Sequence, residues 1–226
     1  GADAALNLDG GGSTTMVVRP KGGGSLKVAN KLQDGAERGV SGILMAADTE
    51  PERIFSDVSY RNDHFEGINW LKENGIQGYP NGTYGVYDQL TREQAAVMFT
   101  NTMGLEKTDP SVAAELFDDI DVSKTYAEFI GAVAQEGIYK GEDGKFLPYD
   151  KMTRQQMATT IVNAFGLEET DNHVDVNLEN VSESHQKNVQ ILADYGITKA
   201  LDDFRAYEAV TRGQFATFLH KASQVQ

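Results

Sequence analysis

Three arginines carry the chemistry that this sequence makes easiest to read. Arg92, Arg154 and Arg212 each follow a threonine, in Leu90-Thr91-Arg92-Glu93-Gln94, Met152-Thr153-Arg154-Gln155-Gln156 and Val210-Thr211-Arg212-Gly213-Gln214. A cation in a first helical turn is opposed by the macrodipole, by about a few tenths of a kcal/mol. Its recurrence at offsets of 62 and 58 residues points to a purpose. An arginine beside free N–H groups at a helix start makes a compact site for a carboxylate or phosphate. An internal salt bridge from each arginine to an acidic residue is equally open, and the two readings are compatible.

The elements that must position these arginines are legible around them. Each threonine is followed three residues later by Gln94, Gln156 or Gln214, the pattern of a capping box. Apolar positions then recur at i, i+3, i+4 and i+7: Ala95, Met98, Phe99 and Thr102; Met157, Thr160, Ile161 and Ala164; Phe215, Phe218, Leu219 and Ala222. That spacing is one buried helix face, with a threonine tolerated in two copies. A second helix precedes each: through Phe65, Ile68, Trp70 and Leu71, through Phe129, Ile130 and Val133, and through Val189, Ile191, Leu192 and Tyr195. Asn74-Gly75, Gly137-Ile138 and Gly196-Ile197 close these helices, 16, 16 and 15 residues before their threonines. A period of about 60 residues therefore sets the architecture of the chain from Phe55 onward. The third copy is worn: Asn180-Val181-Ser182 replaces the aspartate lead of Phe55-Ser56-Asp57-Val58 and Phe117-Asp118-Asp119-Ile120.

Residues 1–48 have a different texture. Ala4 to Leu8, Met16 to Val18, Ser25 to Ala29 and Val40 to Ala46 read as short strands between glycine-rich turns, and 48–52 as a linker. So short and polar a segment is a poor core by itself.

Composition bounds the rest. The 226 residues are 40% hydrophobic and 24% charged, an ordinary globular balance, with a formal net charge of −14. Long-range repulsion then works against nucleic acid and anionic membranes, so an anionic polymer must be held through local basic pockets. No cysteine is present, which removes disulfides and thiolate chemistry. No apolar run reaches the roughly 20 residues of a spanning helix. With Gly1 first and no signal peptide, the chain reads as a processed or excised piece of a larger protein. The histidines at 64, 173, 185 and 220 have no metal-ligand spacing and are expected at the surface. Asp118-Asp119-x-Asp121 lacks the closing glutamate of a calcium loop, and Gly10-Gly11-Gly12 lacks the Lys-Ser/Thr of a nucleotide loop.

The repeat resembles the S-layer homology domain, through Phe55-x-Asp57-Val58, Gly75-Ile76, the loop glycines Gly82 and Gly144, and the Leu/Met/Val-Thr-Arg helix start. The resemblance implies a mainly α fold, three repeats at 54–105, 116–167 and 175–223 forming a pseudo-threefold helical bundle with grooves between neighbours, after a short β-rich remnant at 1–48. It implies a monomer at the bacterial cell surface, in the cell wall or S-layer, with no metal, cofactor, nucleic acid or membrane partner. Family members bind secondary cell-wall polysaccharide, commonly pyruvylated, and a ketal carboxylate suits a bidentate arginine. The family's Thr-Arg-Ala-Glu motif falls on Thr91-Arg92-Glu93, Thr153-Arg154-Gln155 and Thr211-Arg212-Gly213, so the arginines persist while the alanine and glutamate do not. Asp57 and Asp119 match the lead aspartate. Trp70 is expected to stack on sugar or to serve as a core aromatic. Gly78 and Gly141 are expected to let a sugar approach the backbone. Ala200 stands in place of that glycine in the third repeat, so at most two competent grooves are expected. Replacing Arg92 or Arg154 by Ala is expected to weaken binding and leave melting nearly unchanged.

Asn7-Leu8-Asp9-Gly10-Gly11-Gly12-Ser13-Thr14-Thr15-Met16, with Asp34-Gly35-Ala36-Glu37-Arg38, resembles the closing segment of the phosphodiester glycosidase family. The resemblance implies that Asp9 and the glycine turn would shape a catalytic site if the domain were completed, the turn's N–H groups suiting a phosphodiester and Arg19 and Arg38 assisting. For this chain alone the reading is a remnant without activity, leaving a non-enzymatic anchor or the tail of an anchored glycosidase.

Overall fold

The computed structural model describes residues 17–18, 27–28 and 53–225. In the first compact unit of the chain, 1–49, β1 (Val17–Val18) pairs antiparallel with β2 (Lys27–Val28), Val17 opposite Val28. Both lie within the strands expected there. The other expected strands, the 48–52 linker, Asp9, Arg19 and Arg38 fall outside the described residues.

The second unit is mainly α, as expected. Its helices are α1 (Phe65–Glu73), α2 (Arg92–Thr102), α3 (Pro110–Leu116), α4 (Tyr126–Gln135), α5 (Arg154–Phe165), α6 (Glu183–Asp194) and α7 (Arg212–Ser223). Helices α2, α5 and α7 begin at the three capping boxes. The Thr hydroxyl of Thr91, Thr153 or Thr211 accepts the N–H of its glutamine, whose side chain accepts the threonine N–H. Each box satisfies two donors that a helix start leaves over.

Helix α3 lies almost wholly between the expected repeats 54–105 and 116–167. Asp109 accepts from Ser111 N–H at 2.9 Å, and Pro110 supplies a preset φ at the first position. It packs on α4.

The repeats are interlocked rather than stacked. The first helix of each repeat lies on the second helix of the preceding one: α4 on α2, α6 on α5, and α1 back on α7. Gly67 allows the closing contact, since a Cβ there would lie 2.6 Å from the carbonyl oxygen of Ala216. Where three segments of the chain enter their Thr-Arg helices, the backbone forms a ring. Leu90 N–H donates to Val210 O, Val210 N–H to Met152 O, and Met152 N–H to Leu90 O, at 2.9, 2.9 and 3.0 Å. All three side chains are fully buried, so each of these peptide groups is satisfied only because the other two repeats are present. One core connects the helices, with Phe99 of α2 and Phe215 of α7 edge to face at 5.3 Å. Burial of apolar area on this scale supplies the main stabilising term.

Candidate functional site

The three arginines are held alike, each by the next repeat in the ring. Arg92 Nε–H donates to Phe146 O at 2.6 Å, Arg154 Nε–H to Phe204 O at 2.8 Å, and Arg212 Nε–H to Tyr84 O at 2.8 Å. Each guanidinium also lies over aromatic rings: Arg92 over Tyr139 and Phe146, Arg154 over Phe204 and Phe218, and Arg212 over Tyr79 and Tyr84, at 4.7–5.6 Å. The residues are 5%, 3% and 5% exposed. Burial, and after it Arg205, pulls the Arg154 guanidinium below its ordinary value, while Glu208 and Asp203 act the other way.

Two features of the expected arrangement are corrected by this geometry. The helix-start N–H groups are taken. Arg92 and Glu93 donate to Asp150 O and Pro148 O, Arg154 and Gln155 to Glu208 O and Ala206 O, and Arg212 and Gly213 to Asp88 O and Val86 O. The third donor of each helix goes to its threonine hydroxyl. An anion therefore finds no free amide there. Nor are the arginines in salt bridges, since no ion pair among the described residues involves them. What each arginine does offer is its Nη edge. No described residue accepts from an Nη atom of the three, and no buried side-chain nitrogen among the described residues lacks a partner. The Nη groups therefore touch solvent over a small area, as donors fixed in orientation by the Nε bond and the rings.

The lead aspartates build the loops that receive the arginines. Asp57 accepts from Tyr84 and Gly85 N–H at 2.7 and 2.8 Å, with Val86 N–H at 3.4 Å. Burial pushes its carboxyl up, but these backbone donors outweigh burial and hold it below the usual carboxylate range. Asp119 accepts from Phe146 and Leu147 N–H at 2.8 and 2.7 Å. The peptide that gives its N–H to Asp119 thus belongs to the residue whose carbonyl accepts Arg92. In the third repeat Arg205 N–H goes to Asp203 instead, yet Phe204 O still receives Arg154.

The remaining expected site residues divide. Thr91 and Thr153 are the helix caps described above. Trp70 lies half-buried against the His220 ring at 5.7 Å. His220 is eight residues beyond Arg212 on α7, roughly 12 Å along the axis, so the tryptophan and the arginine are not brought together. Gly78 and Gly141 have φ of +71° and +68°, and a Cβ at either would lie 2.6 and 2.5 Å from the ring of Phe55 or Phe117. Packing within each repeat already requires these glycines.

The residue after each arginine, where the alanine of the motif is replaced by Glu93, Gln155 or Gly213, makes the junctions unlike. Between α2 and α4 a cleft of about 220 Å³ is lined by Glu93, Gln94, Val97, Thr125, Tyr126 and Phe129. Burial raises the Glu93 carboxyl above its ordinary value, opposed by Lys151. At the next junction Gln155 Oε1 accepts from Ser182 N–H at 3.0 Å. At the third, Gly213 lets His64 come so near that a Cβ would lie 2.7 Å from its ring. His64 and His185 are half-buried rather than superficial, their Nδ1 atoms 2.8 and 2.7 Å from the hydroxyls of Thr217 and Thr159. No helix among the described residues is long and apolar enough to cross a membrane.

Comparison with known proteins meets this geometry from another side. The phosphodiester glycosidase family model matches residues 1–46, and the S-layer homology domain model matches 55–96 and 116–158. An S-layer protein of Bacillus licheniformis is 31% identical over 176 residues, which are 74% of this chain and 19% of the relative. The S-layer protein sap of Bacillus anthracis is 28% identical over 181 residues, 76% and 21% of the two chains. A cellulosome-anchoring protein of Acetivibrio thermocellus is 26% identical over 156 residues, 65% of this chain and 35% of that one. The chain thus spans between about a fifth and a third of the length of these curated relatives. Interlocked repeats, each opening a helix on Thr-Arg, and the matches at 55–96 and 116–158 meet on one assignment: the chain carries S-layer homology domains, preceded by a phosphodiester glycosidase segment.

Proposed function

We propose that this chain is a non-covalent anchor of the bacterial cell surface, in which three S-layer homology repeats at 54–105, 116–167 and 175–223 bind secondary cell-wall polysaccharide. The observation that carries the reading is the set of guanidinium Nη edges that have no acceptor among the described residues. Each arginine is fixed by a backbone carbonyl and by aromatic rings, and none of the three forms an ion pair among the described residues. A carboxylate meeting the Nη pair would form two charge-assisted hydrogen bonds in a plane already set. A pyruvyl ketal on a sugar supplies such a carboxylate. In this reading Arg92 and Arg154 clamp it, and Asp57 and Asp119 position the loops around it. The relatives' names, S-layer proteins and a cellulosome-anchoring protein, support wall attachment.

The test is titration calorimetry of the chain with purified pyruvylated wall polysaccharide, beside the same polymer stripped of pyruvate. Binding that is lost with the ketal is the expected result. Equal binding to both polymers, or to neither, overturns the carboxylate clamp.

A second reading concerns the whole protein. The match at 1–46 supports a parent in which these repeats hold a phosphodiester glycosidase at the wall. A hydrolase assay on the parent protein with an N-acetylglucosamine phosphodiester tests it, and an inactive parent rejects it.

A further inference from the structure

Three tyrosines occupy one place in the three repeats. Tyr87, Tyr149 and Tyr207 each stand four residues before a Thr-Arg helix start. They are 76%, 61% and 66% exposed, the most exposed large hydrophobic side chains among the described residues.

Their setting is fixed at both ends. The residues flanking Tyr149 are Pro148 and Asp150, whose carbonyls accept the N–H groups of Glu93 and Arg92. Ala206 and Glu208 flank Tyr207 and accept from Gln155 and Arg154, while Val86 and Asp88 flank Tyr87 and accept from Gly213 and Arg212. Each tyrosine is therefore clamped beside the arginine of the neighbouring repeat. Each hydroxyl is tied as well. Asn62 Nδ2–H donates to Tyr87 at 3.2 Å, Tyr149 is 3.3 Å from the Tyr126 hydroxyl, and Tyr207 is 3.0 Å from Ser182 Oγ. A ring held at backbone and tip has given up much of its freedom before any ligand arrives, so stacking on it costs little further ordering. Most of each side chain remains in water, where apolar area gains nothing for the fold.

We infer that Tyr87, Tyr149 and Tyr207 are stacking platforms for pyranose rings of the bound polymer, one beside each Thr-Arg arginine. The inference rests on the polymer-binding reading above and moves the stacking role away from Trp70. A pyranose offers C–H groups on its face and hydroxyls on its rim. The platforms match both, because Asp88, Asp150 and Glu208 follow the three tyrosines directly and can accept from rim hydroxyls. At Tyr149 the surface is most developed. Tyr126 stands edge to face with it at 5.8 Å and continues it into the cleft lined by Glu93 and Phe129.

The test uses the full chain and calorimetric titration with the pyruvylated wall polysaccharide. Tyr87→Ala, Tyr149→Ala and Tyr207→Ala are measured singly and together, beside the three Tyr→Phe variants. Each alanine should weaken binding by about 3- to 10-fold, and Tyr149→Ala by the most; each phenylalanine, which keeps the ring, should stay within about 2-fold. Melting temperatures of the alanine variants should match the parent, since the side chains are exposed. Parent-like affinity in the triple alanine variant overturns this inference alone. Failure of the parent itself to bind overturns the polymer reading, and this inference with it. Loss in the phenylalanine variants equal to that in the alanine variants assigns the effect to the hydroxyl and rejects stacking.

Discussion

The side chain of Arg92 and the peptide of Phe146 belong to different repeats, and the Nε–H···O bond between them is 2.6 Å long. That bond makes the arginine a structural clasp as well as a ligand donor. Its copies Arg154–Phe204 and Arg212–Tyr84 carry the same relation around the ring, so every repeat is both holder and held.

Removal of the clasp should therefore cost stability, contrary to the unchanged melting that the sequence led us to expect. Arg92→Ala leaves the Phe146 carbonyl without its charged donor and removes the ring contacts of Tyr139 and Phe146. The expected loss is about 2–4 kcal/mol, read as a lower urea midpoint. Arg92→Lys should recover only part of it, because an ammonium has no Nε–H in the plane of a guanidinium. An unchanged midpoint in Arg92→Ala would show that the clasp carries no net energy. Binding of such variants must be measured where circular dichroism shows them folded.

Asp57 gives an acid-side signature. Its folded carboxyl is held below the unfolded value by the N–H groups of Tyr84 and Gly85, which exceed the upward push of burial. The unfolded chain therefore binds the proton first, and the contribution of Asp57 is present above pH 3.8 and lost as pH falls through the lower folded value. The carboxylate is exposed, so the size should be modest. Asp57→Asn should flatten the pH dependence of urea midpoints below about pH 4. A slope equal to that of the parent would remove Asp57 from the account.

The histidines act in a higher window. Burial lowers His64 and His185 from 6.5, with Asp63 and Glu142 respectively opposing it. The folded state favours neutral imidazole, so stability present above pH 6.5 falls as pH drops toward the lower folded values. Melting at pH 5.5 should lie below melting at pH 7.5, and His64→Gln with His185→Gln should narrow the difference. Equal differences in parent and double variant would assign the pH effect elsewhere.

The capping boxes, the helical stripes and the glycine closures were legible because each depends on residues within one or two turns. The α3 start at Asp109-Pro110-Ser111 is equally local, but it falls once and outside the period of about 60 residues. The partners of Arg92 were not legible: Phe146 lies 54 residues away and contributes a carbonyl, which any residue type possesses. A backbone acceptor leaves no mark in a sequence, whereas the salt bridge first considered would have required a particular acid. The tyrosine before each Thr-Arg start was visible as a repeat. Its exposure was not, because an aromatic three residues before a buried Leu90, Met152 or Val210 fits a core pattern as well as a surface one.

Gly213 shows how one position after the arginine sets the character of a junction. The equivalent residues are Glu93 and Gln155, which have room for long side chains, whereas a Cβ on Gly213 would meet His64 at 2.7 Å and Val86 at 2.8 Å. The third contact, 2.9 Å, is with the Val86 carbonyl, which also accepts the Gly213 N–H and cannot easily withdraw. Gly213→Ala should thus destabilise the fold by about 1–3 kcal/mol as an overpacked site, read from urea midpoints. The histidine ring is the yielding partner, because the His64 side chain is half-buried and its imidazole makes one hydrogen bond, to Thr217. In the double variant His64→Ala with Gly213→Ala, the cost of the added methyl should fall by about half or more, a coupling expected of residues in contact. Additive losses would place the strain on the Val86 carbonyl instead, and a neutral Gly213→Ala would mean that α1 can shift away from α7 without cost.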